Sequence, residues 1–258
     1  MAMFESGNPT LSQKIFDRSL KLESDAQGIM SVRGTMNKFG FLLVMMICAA
    51  SYTWHLFYTG QRAEMQTLML VGIFGGLIVG WITAFKANWS PYLAPAYGLL
   101  QGLALGGLSA IINVSMLQKY PGIVIQAVGL TFGVAFAMFL LYNFRIIKAT
   151  ERLKSIVFVG VLGVAIFYTI DIILFYGFNI DLPITSWQST SWVSIGFSLL
   201  MIGLASLKLV TDFAFIEEGA AMGAPKFMEW YGAFGLNVTI VWLYIEILKL
   251  LSRLGRRN

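Results

Sequence analysis

Long apolar runs separated by short polar segments dominate the chain. The only formally charged residues between positions 39 and 141 are Arg62, Glu64, Lys86 and Lys119. A helix needs about 20 mostly apolar residues to cross the hydrocarbon core of a bilayer. The pattern therefore predicts at least six such helices and favours seven, at about 39–58, 68–85, 92–114, 122–142, 156–178, 192–210 and 228–251.

Composition allows one membrane domain and little else. Of the 258 residues, 57% are hydrophobic and 12% charged, and no polar segment is long enough to build a soluble core. The longest polar segment, 1–38, mixes basic and acidic residues and lacks the apolar core of a signal peptide. We expect 1–38 to be a cytoplasmic amino-terminal segment, followed by a seven-helix transmembrane domain at 39–258 whose first helix is an uncleaved anchor.

The net charge of +5 does not indicate nucleic-acid binding, because the basic residues fall at predicted helix ends and in loops. Topology and lipid headgroups explain basic residues in those places, so the expected partner is the lipid bilayer. The single cysteine, Cys48, excludes an intrachain disulfide and any multi-cysteine metal site. We predict no metal centre and no resident cofactor, with Ca²⁺ bound transiently at most.

Lysine and arginine are distributed asymmetrically among the loops. They are concentrated in the amino-terminal segment and in 143–155, whereas 177–191 has none. The positive-inside rule then places the amino terminus in the cytoplasm and 177–191 outside. Seven crossings would put the basic carboxy-terminal tail outside, against this rule. Either the last segment does not fully cross or the other loops determine the orientation, and both explanations stay open at this point.

Glycines recur at every fourth position in two predicted helices, as Gly72, Gly76 and Gly80 in the second and as 98, 102 and 106 in the third. Ridges of small residues allow helix backbones to approach closely inside a membrane. We interpret both ridges as packing surfaces of the bundle.

Ionisable residues inside apolar runs are costly and are therefore functional candidates. Those in this chain are Asp171, Asp212, Glu229, Glu246 and His55. Glu246 lies in VWLYIEILKLL, with apolar residues on every helical face, so its carboxylate must be protonated, paired or in contact with water. Lys249, three residues later, is a local partner that would make it an ordinary ion pair.

Asp212 follows the sixth apolar run, with Lys208 one turn earlier, so a helix-end ion pair competes with a functional role. Glu229 precedes Glu246 by 17 residues, or about 25 Å along a continuous helix. In a straight helix both could not contact Asp212. An alternative is a short interfacial segment at 226–235, with the spanning helix beginning near Leu236.

Two further residues are weaker candidates. Asp171 is predicted toward the outer side of the fifth helix, where a satisfied core polar group is as good an interpretation as a site. The place of His55 near the outer end of the first helix favours a hydrated interfacial position.

Two carboxylates held together in a low dielectric do not both ionise easily, so such a pair senses pH and can hold a hard cation.

Several motifs resemble one family. The stretches LVTDFAFIEEG and EWYGAFGLNVTIVWLYIEILKLL, with FESGNPTL and PYLAPAYGLLQGLALGGLSA, are similar to the Bax inhibitor-1-like (TMBIM) transmembrane family, in particular its bacterial branch. The resemblance extends over nearly the whole chain. It implies an all-α integral membrane protein, a seven-transmembrane-helix bundle with the last helix central, in the bacterial cytoplasmic (inner) membrane.

The resemblance also implies a proton-sensitive calcium leak, controlled by acids on the last two helices and latched by a basic residue after the second helix. By position, these residues are Asp212, Glu246 and Lys86. The chain departs from the family pattern in having Glu for Asp at the second acid and Lys for Arg at the latch. A longer stretch also separates the two acids, which leaves Glu229 as an alternative partner of Asp212.

The leading functional hypothesis is therefore a pH-sensitive calcium or cation leak channel. The alternative is a non-conducting membrane interaction protein that modulates a membrane protease or a stress or cell-death pathway. An intramembrane enzyme is not expected, because one histidine and one cysteine exclude the usual metal clusters and no serine lies in a recognisable nucleophile motif.

Overall fold

The computed structural model describes residues 28–180 and 182–257. Seven α-helices follow one another in this part of the chain, as predicted, each long and apolar enough to cross a membrane. They are α1 Val32–Tyr58, α2 Arg62–Phe85, α3 Ser90–Met116, α4 Ile123–Asn143, α5 Glu151–Phe178, α6 Trp192–Ala221 and α7 Met228–Arg257, with a 3-10 turn at Ala87–Trp89 between α2 and α3. The protein is an all-α, multi-pass integral membrane protein with a seven-helix fold.

Two helix boundaries differ from the prediction in ways that affect the site. Helix α6 does not end near residue 210 but continues to Ala221, so Asp212 lies inside a helix and not at its end. Helix α7 is unbroken from Met228, so the alternative of a short interfacial segment with a spanning helix starting near Leu236 is wrong. Apolar residues flanking the charged positions keep both helices continuous, and tertiary packing overrides the local glycines.

The last helix is the most buried of the seven described helices. Within its most apolar 18 residues, 72% are buried, whereas no other helix exceeds 50%. The prediction of a central last helix is confirmed. Four formally charged side chains of α7 are buried, namely Glu229, Glu246, Lys249 and Arg253, and their partners are therefore more informative than those of a residue on the periphery.

The chain divides into two compact units. The described part of the first unit covers 28–111 and 212–238, and its core packs Leu42 of α1 and Ala94 and Tyr97 of α3 against Ala233 and Phe234 of α7. The rings of Tyr97 and Phe234 meet edge to face, with centroids 4.9 Å apart. This contact is the favoured arrangement for an aromatic pair.

The glycine ridges pack as predicted within the first unit. A Cβ atom on Gly72 would strike the carbonyl oxygen of Leu100, and one on Gly102 or Gly106 would strike a carbonyl oxygen of α1. Backbones approach this closely only where no side chain intervenes. The ridges are therefore helix-packing surfaces.

The second unit covers 112–211 and 239–258, of which residues 181 and 258 lie outside the described part. It contains α4, α5, the first two thirds of α6 and the end of α7. Gly160 of α5 faces Leu204 of α6, whose Cδ1 would lie 2.8 Å from an added Cβ. The segment 182–191, between α5 and α6, also belongs to this unit.

Candidate functional site

The second unit contains a buried ion pair on α7. Glu246 is 2% exposed, and its Oε1 accepts hydrogen bonds from the Tyr168 hydroxyl at 2.9 Å and from the Lys249 ammonium at 3.2 Å. The same ammonium donates to the Tyr168 hydroxyl oxygen at 3.1 Å. The three groups form a closed triangle between α5 and α7. The local partner expected at Lys249 from its spacing is confirmed.

The Glu246 carboxylate is only half satisfied. Its second oxygen, Oε2, is buried and has no hydrogen-bond partner within the part of the chain that the structure describes. A buried acceptor left unpaired costs about 1–3 kcal/mol, and more when it carries charge. Such an oxygen is expected where the group exchanges a proton or a ligand, since purely structural polar groups are normally paired.

Two aromatic rings border the Lys249 ammonium. It lies 5.2 Å from the ring centroid of Tyr168 and 5.5 Å from that of Trp187, which comes from the segment 182–191. Ring faces attract cations most strongly where water is excluded, and the Lys249 side chain is only 7% exposed. The site therefore consists of one carboxylate, one phenol oxygen and two aromatic faces around a single positive charge.

Arg253, one turn further along α7, fastens the segment 182–191 to the helix. Its guanidinium is fully buried and donates to the carbonyl oxygens of Ile184 and Ser186, at 2.7 and 3.0 Å, from Nη2. Nη1 donates to the Ser194 carbonyl oxygen and, at 2.8 Å, to the Ser198 hydroxyl. A planar fork of donors suits this multiple contact, whereas a lysine could not make it.

Arg253 belongs to the basic carboxy-terminal tail and is not among the candidates predicted from the sequence, although its spacing carries a signal. Residues 246, 249 and 253 follow the i, i+3, i+7 pattern of one helical face. Arg257, one turn later, stacks on Trp192 with its guanidinium carbon 3.5 Å from the ring centroid. Lys249, Arg253 and Arg257 are engaged by protein contacts, and the side of the membrane on which this basic tail lies stays a prediction.

Asp171 of α5 and Thr185 of the segment 182–191 extend the group of polar contacts around Lys249. The Thr185 hydroxyl donates to Oδ1 of Asp171 at 3.1 Å, which links 182–191 to α5. Asp171 also interacts electrostatically with Lys249. Its half-buried, hydrogen-bonded position agrees with the interpretation as a satisfied polar group.

Glu229 forms a separate cluster in the first unit, in the first turn of α7. Its side chain is 0% exposed, and Oε1 accepts from the backbone N–H and hydroxyl of Ser31 at 2.9 and 2.8 Å. The Lys226 ammonium also lies 2.9 Å from Oε1, and Lys38 donates to Oε2. Ser31 in turn caps the amino terminus of α1 through Gly34 N, at 3.0 Å. Negative charge is favoured at such a helix start.

Sequence reasoning missed the partners of Glu229, because Ser31 and Lys38 lie 198 and 191 positions away and no local pattern connects them. The close fit depends on Gly34, where a Cβ atom would collide with the Glu229 carboxylate. Both carboxylate oxygens are engaged, so the hydrogen bonds and ion pairs of this cluster hold the start of α1 against the start of α7.

Asp212 is buried within α6, at 2% exposure, and Lys208 is 8% exposed. Because α6 continues past both residues to Ala221, the helix-end position expected for Asp212 is wrong. Its pairing with Lys208 stays a prediction. The pairing of Asp212 with Glu246 or with Glu229 stays a prediction.

Two other candidates are exposed. Lys86 lies at the end of α2 with its ammonium 4.1 Å from the Trp89 ring centroid, and its role as a latch stays a prediction. His55 is exposed near the end of α1, and its hydrated interfacial position stays a prediction. Within 28–180 and 182–257, no three His, Cys, Asp or Glu side chains are grouped as metal ligands.

Comparison with known proteins identifies the family. Comparisons with curated proteins and with solved structures each found no match. A family model described as Bax inhibitor 1 like matches residues 8–256, which is nearly the whole chain. This agrees with the seven spanning helices and with the acid-bearing last helix, and the chain therefore belongs to the Bax inhibitor 1 like family.

Proposed function

We propose that the protein is a pH-responsive leak pathway for cations, calcium foremost, in a bacterial cytoplasmic membrane. The observation that carries the proposal is Glu246, a carboxylate buried in the most buried described helix, whose Oε2 has no partner among the described residues. A charge in this environment is costly, and its persistence favours a functional role.

Protons and cations compete for such a group. Protonation of Glu246 would weaken its ion pair with Lys249 and leave a positive charge in the protein interior. That change of charge alters the electrostatic barrier for a passing cation. In our proposal Asp212, another buried acid, acts together with Glu246 in the response to pH, and Lys86 stabilises the closed form.

The proposed orientation has the amino terminus in the cytoplasm and 177–191 outside. Its support is the excess of Lys and Arg in the amino-terminal segment and in 143–155. No enzymatic step is part of the proposal, and neither a resident cofactor nor a nucleic-acid partner is invoked.

Calcium flux into sealed liposomes that contain only this protein, measured across a pH series, tests the proposal. We expect flux above that of empty liposomes, with a sigmoidal dependence on pH. The Glu246→Gln variant should conduct with an altered pH response, and Glu151→Gln is a matched control because its carboxylate is exposed and also pairs with a lysine three residues away.

Absence of flux at every pH, with the protein folded and correctly inserted, would contradict the leak proposal. The non-conducting interaction protein, acting on a membrane protease or a stress or cell-death pathway, would then be the better hypothesis. It requires no ion pathway and would be pursued by identifying membrane proteins that co-purify with the chain.

A further inference from the structure

We propose that the Lys249 ammonium is a tethered cation that occupies a cation-binding site, and that a free hard cation binds beside Glu246 only when this ammonium is removed. The inference rests on the proposed function in one respect, because both assign cation contact to Glu246. It adds the identity of the group that competes for the site.

The groups around the Lys249 ammonium are those that would hold a cation. Glu246 Oε1 and the Tyr168 hydroxyl lie 3.2 and 3.1 Å from the ammonium, and the rings of Tyr168 and Trp187 flank it. Oxygen ligands are those that hard cations prefer, and aromatic faces add attraction for a positive charge.

A second observation points to a ligand. Glu246 Oε2 is buried, and the described residues offer it no hydrogen-bond partner. A lysine ammonium is a point charge that engages one carboxylate oxygen here, whereas a small metal ion can approach both oxygens. The carboxylate therefore has ligand capacity that Lys249 does not use.

The local charges balance only with Lys249 in place. Lys249 interacts electrostatically with two acids, Glu246 and Asp171, and with one other base, Arg253. Two negative and two positive charges sum to zero. Removal of the Lys249 charge leaves one negative charge, which a cation would neutralise.

The segment 182–191 keeps the ammonium in place. Trp187 covers it, and Arg253 binds the carbonyl oxygens of Ile184 and Ser186, both just before that tryptophan in sequence. Detachment of this segment would remove one aromatic face from Lys249. The arrangement thus couples a peripheral segment to the occupancy of the buried carboxylate.

Thermal unfolding of the purified full-length protein in detergent, with and without CaCl₂ or NaCl at matched ionic strength, tests the inference. Lys249→Met keeps the side-chain length and removes the charge. We expect saturating CaCl₂ or NaCl to raise its Tm by about 5 °C, as a ligand that binds only the folded state does. The unaltered protein should need at least about tenfold more salt for the same rise.

Two controls separate a specific site from general salt effects. Lys226→Met removes the matched lysine of the Glu229 cluster and should respond as the unaltered protein does. The double variant Glu246→Gln, Lys249→Met should lose the response. Stabilisation by CaCl₂ alone identifies a divalent site, and stabilisation by NaCl alone a monovalent one. A Lys249→Met response no larger than that of the unaltered protein overturns the inference.

If Lys249→Met does not fold, the unaltered protein provides the test. An amine-reactive reagent acylates Lys249, and peptide mass follows the rate. As the cation displaces the ammonium, this rate should rise at least about threefold in saturating salt, which is less than the change that a tenfold difference in affinity would allow. A rate independent of CaCl₂ and NaCl overturns the inference. Neither measurement uses flux, so this inference can fail while the liposome experiment succeeds, and the reverse.

Discussion

Helix α7 carries two buried glutamates that differ in how completely they are satisfied. Glu229 receives two bonds from Ser31 and contacts from two lysines, so that both oxygens are engaged. Glu246 has two donors on one oxygen and, as far as the chain is described, none on the other. Burial alone therefore does not identify a functional acid. In our proposal, this difference gives the first a structural role and the second an exchangeable one.

Glu229→Gln should have the largest effect on stability. Glu229 is fully buried although Lys38 and Lys226 are partly exposed, and the loss of several charge-assisted hydrogen bonds to its carboxylate costs about 3–5 kcal/mol. Thermal unfolding in detergent measures the loss, and Glu151→Gln, whose carboxylate is 60% exposed, should change stability by less than about 1 kcal/mol.

Glu229→Gln also tests whether the roles of Glu229 and Glu246 are correctly assigned. If Glu229→Gln abolishes the pH response of calcium flux while Glu246→Gln leaves it intact, the structural and functional roles are exchanged. Glu229 would then be the acid that acts with Asp212.

Arg253→Met should destabilise the protein by about 2–3 kcal/mol, because it leaves buried carbonyl oxygens unpaired. Hydrogen exchange of the amides in 182–191 should accelerate, whereas exchange in α1 should not change. Arg257→Met removes an exposed arginine of the same helix and is the control. Unchanged exchange in 182–191 would show that Arg253 does not hold that segment.

Asp212→Asn and Glu246→Gln should act on pH response more than on stability. Each substitution removes one of the two carboxylates on which the proposed response to pH depends. The pH midpoint of flux should move in each single variant, and the double variant should show a flattened response. Flux that is unaltered in all of these variants and in Glu229→Gln would remove the basis of the leak proposal.

Lys86→Gln should have a smaller effect, because the lysine is exposed and contacts Trp89. A latch that holds a carboxylate predicts higher leak near neutral pH with little change in Tm. Lys119→Gln is the control for loss of a single loop lysine. If flux and its pH midpoint are unchanged, Lys86 acts only on topology.

The orientation prediction involves no change in stability and tests which side of the membrane the Arg253 end of α7 faces. In a Cys48→Ser background, Ser189→Cys should react with an impermeant thiol reagent in intact cells, and Ser155→Cys should not. Ser155 is exposed and Ser189 is partly exposed. Labelling at 155 but not at 189 would invert the orientation.

The sequence predicted those features that depend on local spacing. Apolar runs located all seven helices, and an i, i+3 spacing found the Glu246–Lys249 pair. It could not locate contacts between distant positions, such as Ser31 with Glu229, because no period connects them. The end of α6 was placed too early because charges near residues 212–218 resemble a loop, yet Asp212 is buried.

Gly34 limits which substitutions can accumulate in related chains. The Glu229 carboxylate occupies the space that a side chain at position 34 would fill. Any larger residue at 34 would displace the acid from Ser31 and Lys38, and any shorter acid at 229 would leave a gap over the glycine. Positions 34 and 229 are therefore expected to co-vary, so that in related chains a change at one is accompanied by a change at the other.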